Sequence, residues 1–163
     1  MLVGVVSDTH NNLKNTKKII TLFNEAKVSW VIHTGDICSA KTLQVFTALS
    51  CKLIGVYGNN DRNEVGLDET SRKNSFDFKE PPYLVNIGNR NIAIFHEPDL
   101  IGDFLSKNIN IDVVLHGHTH RYKKEIKNGV LHFNPGESAG MLMGQNAIGI
   151  LDLETLNARR IFF

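Results

Sequence analysis

The chain has 163 residues, of which 42% are hydrophobic and 21% are charged, and its formal net charge is +1. This length predicts a single domain over residues 1–163, and the composition is typical of a soluble globular protein. A net charge so close to zero argues against nucleic acid as a partner, and no apolar run approaches the ~18 residues of a membrane helix.

The first third of the chain alternates strand-like and helix-like segments. Leu2–Val6 predicts a buried strand, and Leu13–Lys27 has apolar residues near helical spacing after an asparagine that can serve as N-cap. A second strand is predicted at Val28–His33, a short helix at Ala40–Leu49 and a third strand at Lys52–Val56. Such alternation indicates a parallel sheet.

The middle of the chain begins with a polar stretch. Residues 63–82 show no clear periodicity and predict a surface flap or an irregular edge. Tyr83–Ile87 and Asn91–Phe95 flank a glycine-containing turn and predict a hairpin. A helix at Asp99–Lys107 and a strand at Ile111–Leu115 follow.

The last part of the chain predicts two antiparallel pairs. Arg121–Ile126 pairs with Val130–Phe133, and Ala147–Asp152 pairs with Ala158–Phe162. The whole order is best explained by an α/β fold in which two mixed β-sheets pack face to face with helices outside, a four-layer αββα sandwich.

Side chains that can bind metals follow five of the predicted strands. In Gly117-His118-Thr119-His120 the two imidazoles stand two residues apart, so in an extended segment they point the same way. Ligands in open α/β folds bind at the carboxyl ends of the strands, so residues that are distant in sequence converge there. Seven residues are therefore candidate metal ligands: Asp8, His10, Asp36, Asn59, His96, His118 and His120.

Seven ligands exceed the needs of one small cation. They suit two metal ions about 3.5 to 4 Å apart that share a carboxylate, as in phosphatases and nucleases. Asp36 is the natural bridge because a carboxylate offers two equivalent oxygens. Four histidines with carboxylate and amide oxygens match Mn²⁺, Fe²⁺, Ni²⁺ or Zn²⁺ better than an all-oxygen Mg²⁺ site.

The order of these motifs resembles a known family. Asp8-Thr9-His10, Gly35-Asp36, Gly58-Asn59-Asn60-Asp61, His96 and Gly117-His118-Thr119-His120 resemble the blocks of the calcineurin-like metallophosphoesterases, and Asn134-Pro135-Gly136 resembles a turn of its small YfcE-type phosphodiesterase branch.

The resemblance implies in-line hydrolysis of a phosphate ester by a water or hydroxide shared between two metals. It implies that Asp8, His10 and His120 hold the first ion, that Asn59, His96 and His118 hold the second, and that Asp36 holds both. It also makes Mn²⁺ the first choice of metal, with Ni²⁺, Fe²⁺, Zn²⁺ or Mg²⁺ as alternatives. The candidate catalytic residues are Asp36, Asn59, Asn60 and His118.

Departures from the family pattern refine the expected substrate. Asn60 stands where many members have a histidine, and it cannot act as a general acid, so leaving groups that need a proton should react slowly. Glu137 replaces the serine of the turn, and its charge near the mouth of the site would disfavour dianionic monoesters. Glu97 stands where glycine is frequent after the histidine.

The leading hypothesis is a phosphodiesterase that acts on a small phosphate diester. The alternatives are a phosphomonoesterase or nucleotidase, and a non-catalytic protein-binding scaffold similar to the retromer scaffold subunit of eukaryotes. No membrane partner is expected, and Met141-Leu142-Met143 could mark a homo-oligomer contact. Two cysteines and no apolar leader before Asp8 predict a cytoplasmic protein.

Several residues near the motifs have two interpretations. His33, His116 and His132 are predicted to be packed structural residues, with a supporting contact to a metal ligand as the less favoured alternative. Cys38 is predicted to be a small buried hydrophobe rather than a redox-sensitive neighbour of Asp36.

Overall fold

A computed structural model describes residues 1–108 and 110–163. Its strands and helices follow one another in this order: β1 Leu2–Val6, α1 Leu13–Glu25, β2 Trp30–His33, α2 Ala40–Val45 with a 3₁₀ turn at Phe46–Ala48, β3 Lys52–Val56, α3 Leu67–Lys73, β4 Asp77–Lys79, β5 Tyr83–Ile87, β6 Arg90–Ile94, α4 Ile101–Lys107, β7 Val113–Leu115, β8 Lys123–Lys127, β9 Val130–Asn134, β10 Ala147–Asp152 and β11 Asn157–Phe162.

The strands form two mixed sheets. The six-stranded sheet has the order β11-β10-β1-β2-β3-β4, in which β1 to β4 are parallel, β10 is antiparallel to β1 and β11 is antiparallel to β10. The five-stranded sheet has the order β5-β6-β7-β9-β8, with β6, β7 and β9 parallel and a hairpin partner at each edge. The predicted pair of mixed sheets is confirmed.

The two sheets pack on a shared apolar core. Alternate residues of the strands, such as Val3 and Val5 of β1 and Leu131 and Phe133 of β9, are fully buried between them. Helices α1, α2 and α3 cover the outer face of the six-stranded sheet, and α4 covers part of the other sheet through Ile101. The predicted four-layer αββα sandwich is confirmed.

The prediction of a flap or irregular edge at residues 63–82 is wrong. This segment contains α3 and the short strand β4, which extends the six-stranded sheet beside β3. The physical reason is that two apolar side chains, Leu67 and Phe78, are buried against the core below α1 and α2. Two isolated anchors in a polar stretch give no periodic signal.

The topology places the carboxyl ends of parallel strands from both sheets along one edge of the sandwich. The loops after β1, β2 and β3 leave one sheet there, and the loops after β6 and β7 leave the other. No helix among the described residues is long and apolar enough to cross a membrane.

Candidate metal centre

The structure brings the seven predicted ligands together at this edge. One group contains Asp8, His10 and His120, whose ligand atoms all lie within 4.8 Å of one another. The Nε2 atoms of the two histidines are 3.2 Å apart, and they lie 3.9 and 3.5 Å from Oδ1 of Asp8. Two nitrogens and one oxygen therefore point into one small space.

A second group lies beside the first. Oδ1 of Asn59 is 3.0 Å from Nε2 of His96 and 3.0 Å from Nδ1 of His118. Asp36 stands between the groups, with Oδ2 at 3.5 Å from Nε2 of His10 and Oδ1 at 3.4 Å from Nε2 of His96. Each oxygen of this one carboxylate thus faces a different group.

The donors of the first group fit a cation. Asp8 is fully buried, and its Oδ1 has no hydrogen-bond partner among the described residues. Burial raises the pKa of Asp8, because a carboxylate is poorly solvated there. A positive ion at the point faced by Oδ1 and the two imidazole nitrogens would satisfy that oxygen and stabilise the charged form.

The second group is also prepared for a cation. Nδ1 of His96 lies 2.8 Å from the carbonyl oxygen of Thr34, so Nδ1 carries a hydrogen and Nε2 is the ring atom that faces Asn59 and Asp36. Burial alone would raise the pKa of Asp36, but the contact with His96 and the hydrogen bonds from Asn60 lower it. Asp36 is therefore an anion at neutral pH.

The backbone at the site is held in an uncommon conformation. Five of the seven candidate ligands have a positive φ, a backbone conformation that non-glycine residues rarely adopt. Strain of this kind persists only where the surrounding structure fixes it, and it clusters at functional sites. These five residues are Asp8, His10, Asp36, His118 and His120.

Two glycines allow the ligand loops to approach one another. A Cβ atom at Gly117 would lie 1.9 Å from Oγ of Ser7, and one at Gly58 would lie 2.2 Å from Oδ1 of Asp36. The first glycine lets the histidine loop pass over Asp8, and the second brings the Asn59 loop against Asp36.

Asp61 fixes the backbone around Asp36. Its side chain accepts hydrogen bonds from the backbone N–H groups of Asp36, Ile37, Cys38 and Gly58 at 2.7 to 2.9 Å. Sequence reasoning included Asp61 in a motif but gave it no role. The position of Asp61 directly after two asparagines does not indicate that its carboxylate binds four backbone N–H groups.

His33 connects two ligand loops from below. The Gly35 N–H donates to Nδ1 of His33 at 3.1 Å, so Nε2 carries the hydrogen and donates to Oγ1 of Thr9 at 3.1 Å. Burial lowers the pKa of His33 to about 3, which keeps it neutral. His33 is thus the packed, hydrogen-bonded residue of the favoured prediction, and its two partners, Gly35 and Thr9, are not candidate ligands.

Asn60 points toward Asp36. Its backbone N–H donates to Oδ1 of Asp36 at 3.0 Å, and its side-chain amide donates to Oδ2 at 2.8 Å. Asn60 therefore orients the carboxylate of Asp36. Nearby, Nη2 of Arg62 lies 3.7 Å from Oε1 of Glu97, and both side chains are partly exposed.

The prediction that Glu137 lies near the mouth and repels dianionic substrates is wrong. Glu137 is fully buried, and its carboxylate accepts hydrogen bonds from the backbone N–H groups of Gly140 and Leu142 at 2.9 and 3.0 Å. These hydrogen bonds order the loop that carries Met141 and Met143.

Cys38 contacts the first group without being part of it. Its Sγ lies 3.3 Å from Nδ1 of His10. Burial raises the pKa of the thiol to about 12, so it stays protonated.

The family model for the calcineurin-like phosphoesterase superfamily domain matches residues 1–156. The chain belongs to the calcineurin-like phosphoesterase superfamily. The resemblance predicted from the ordered motifs is confirmed, and membership of this metallophosphoesterase family implies divalent metal ions.

Relatives of this calcineurin-like phosphoesterase include named enzymes. A phosphodiesterase of Methanocaldococcus jannaschii is 37% identical over 163 residues, covering 99% of this chain and 98% of that protein. Phosphodiesterase YfcE of Escherichia coli is 26% identical and covers 96% of this chain and 90% of YfcE. A solved archaeal phosphodiesterase is 36% identical, covers 100% of both chains and has a TM-score of 0.91.

Proposed function

We propose that this protein is a phosphodiesterase that hydrolyses a small phosphate diester at a site for two divalent ions. The observation that carries this proposal is the position of Asp36, whose two oxygens face two separate groups of nitrogen and oxygen donors. The full-length similarity to enzymes named phosphodiesterases supports the reaction class. We further propose that residues 1–163 form the single domain predicted.

In this proposal Asp8, His10 and His120 hold one ion and Asn59, His96 and His118 hold the other, with Asp36 shared. When bound, two such ions lower the pKa of a water they share and neutralise charge on the phosphate. The donor set favours Mn²⁺, with Ni²⁺, Fe²⁺, Zn²⁺ or Mg²⁺ as alternatives.

The residues of this chain contribute orientation. Asn60 holds both oxygens of Asp36, and Asp61 holds the backbone beneath it. The His118 N–H donates to Oδ2 of Asp8 at 3.2 Å, which ties the last ligand loop to the first. This arrangement keeps the bridge and the ligand loops in place during the reaction.

The structure supports a preference for leaving groups that need no proton. The amide of Asn60 is occupied by Asp36, and an amide does not donate a proton to an alkoxide. Because Glu137 is fully buried and its carboxylate is bonded to the N–H groups of Gly140 and Leu142, the leaving-group preference rests on Asn60.

A substrate comparison tests the reaction class. Bis(4-nitrophenyl) phosphate should be hydrolysed with a higher kcat/KM than 4-nitrophenyl phosphate or nucleoside monophosphates in the Mn²⁺-loaded enzyme. A nucleoside monophosphate as the better substrate would favour the nucleotidase alternative. No turnover of either class after reloading with any of the five metals would favour the binding scaffold.

A pair of variants tests the bridging role. Asp36→Asn should lower kcat/KM at least about 100-fold, the typical cost of losing one key electrostatic group, and by more than Asn59→Ala. Asp103→Asn, the same change on the exposed face of α4, should leave activity unchanged.

Metal analysis after reloading in excess Mn²⁺ should give close to two ions per chain. Saturation at one ion per chain would contradict the proposal that two ions share Asp36.

A further inference from the structure

A groove of about 580 Å³ lies on the outer face of the five-stranded sheet, between α4 and the β8–β9 hairpin. Its floor belongs to that face because Leu131 and Phe133 of β9 point into the core between the sheets, so His132 between them points outward. None of the seven candidate metal ligands lines this groove.

The floor of the groove contains a buried polar atom without a partner. His132 is only 6% exposed, yet its Nε2 has no hydrogen-bond partner among the described residues. Burial lowers the pKa of His132, so its ring is neutral at neutral pH. Buried polar atoms in proteins are nearly always hydrogen-bonded, so this nitrogen, which is itself inaccessible to water, is an exception directly beneath the lining of the groove.

The two walls of the groove differ in chemistry. Ile101 and Leu105 of α4 give an apolar wall. The opposite wall, on β8, carries Lys123, Glu125 and Lys127. Nζ of Lys123 lies 2.9 Å from Oε1 of Glu125, whereas Lys127 has no ion pair within the described part of the chain. The groove therefore has one uncompensated positive charge facing an apolar surface.

We propose that this groove is a second ligand site, separate from the metal centre, for a small organic anion with an aromatic or aliphatic body. The body would pack on Ile101 and Leu105 over the ring of His132 on the floor, and the anionic group would lie toward Lys127. The proposal does not depend on the phosphodiesterase reaction.

Binding can be followed at the histidine rings by NMR. The full-length protein is loaded with Mg²⁺, which is diamagnetic, and titrated with benzenesulfonate as the probe. The ring signals of His132 and of its groove neighbour His116 should shift and saturate. Benzyl alcohol, which lacks the charge, and sulfate, which lacks the body, should each bind more weakly.

Two matched pairs of variants locate the site. A Cβ at Gly102 in the apolar wall would meet nothing within 4 Å, so Gly102→Leu should fill the groove and abolish the shifts, while Gly102→Ala should keep them. Lys127→Gln should weaken binding by up to about fivefold, the range for one exposed charge contact. The exposed Lys18 of α1 is the control, and Lys18→Gln should change nothing.

Three results would overturn the proposal. The first is that the His132 shifts do not saturate as the probe is added, and the second is that they persist in Gly102→Leu. The third is that the His132 signals shift with protein concentration when no probe is present. The last result would show that a second copy of the chain covers the groove. Saturating shifts that appear only at His118 and His120 would place the probe at the metal centre and would also reject the groove.

Discussion

At the scale of single residues, the geometry around Asp36 depends on a neighbour that is not a ligand. Asp61 is buried and accepts four backbone hydrogen bonds, three of them from consecutive residues that begin at Asp36. A carboxylate can accept several bonds at once, whereas an amide has one acceptor oxygen. The sequence predicted seven candidate ligands because their types repeat after strands, but the motif that contains Asp61 does not indicate which groups its carboxylate contacts.

Asp61→Asn should therefore damage the site through the backbone. One oxygen becomes an NH₂ group that faces backbone donors, which leaves buried N–H groups unpaired. The expected loss in the free energy of unfolding is about 3 kcal/mol, since each bond to a charged group contributes about 1.5 to 3 kcal/mol. Chemical denaturation measures the loss, and kcat/KM for the aryl diester should fall with it.

The matched control for Asp61→Asn is Asp68→Asn, which changes an exposed aspartate paired with Arg72 at 2.8 Å. An exposed i,i+4 pair contributes only about 0.3 to 0.5 kcal/mol. Equal losses of stability in the two variants would show that the four hydrogen bonds to Asp61 do not hold the loop.

At the scale of elements, the strands and the long helix could be predicted, while short elements and loops could not. β1, β2, β3 and α1 follow clear apolar patterns, and the structure places them within a few residues of their predicted bounds. The helix α3 and the strand β4 depend on contacts of Leu67 and Phe78 that only the folded core supplies. The prediction that Glu137 in the loop after β9 is exposed is wrong for a related reason, since a lone glutamate in a turn is usually exposed and only the folded loop buries this one.

That loop gives a prediction at the element scale. Glu137→Gln should loosen the segment that follows, because Gly140 and Leu142 lose a charged acceptor for their N–H groups. Amide hydrogen exchange at these two residues should become about tenfold faster or more, as expected for a loss of about 1.5 kcal/mol or more. Glu69→Gln, on the exposed side of α3, should leave both rates unchanged. Unchanged protection in Glu137→Gln would mean that the neighbouring contacts of Asn12 and Asn15 hold the loop alone.

At the scale of the whole molecule, the two sheets meet in a way that the sequence indicates only in part. The order of strands and helices predicted the sandwich, and the carboxyl ends of parallel strands predicted where the ligands meet. The pairing of β7 with β9, and the hydrogen bonds that join loops of both sheets, depend on the relative placement of the sheets. The contacts of His33 also depend on how the loops are placed, because this residue joins the loops after β1 and β2. A neutral ring is needed for these contacts, since Nδ1 accepts a hydrogen bond while Nε2 donates one.

The neutrality of His33 predicts how stability depends on pH. The pKa of its side chain is about 3 in the folded protein and about 6.5 in the unfolded chain. Between these values the unfolded chain binds more protons, so the free energy of unfolding falls as pH is lowered from about 6.5 toward 3. One such group contributes at most about 1.4 kcal/mol per pH unit. Burial also lowers the pKa of His116, to about 4, which adds to the same trend.

The contribution of His33 can be isolated by comparing wild type with His33→Gln in urea unfolding, with EDTA present so that metal binding does not contribute. Glutamine has an oxygen that can accept from Gly35 and an NH₂ that can donate to Thr9, but it does not titrate. Above about pH 7 the stabilities of the two proteins should run parallel. Below about pH 6.5 wild type should lose stability more steeply than the variant. If the free energies of unfolding of wild type and variant fell with equal slopes down to pH 4, His33 would accept a proton in the folded protein. The contacts of His33 with Gly35 and Thr9 would then have to be made by a charged imidazole.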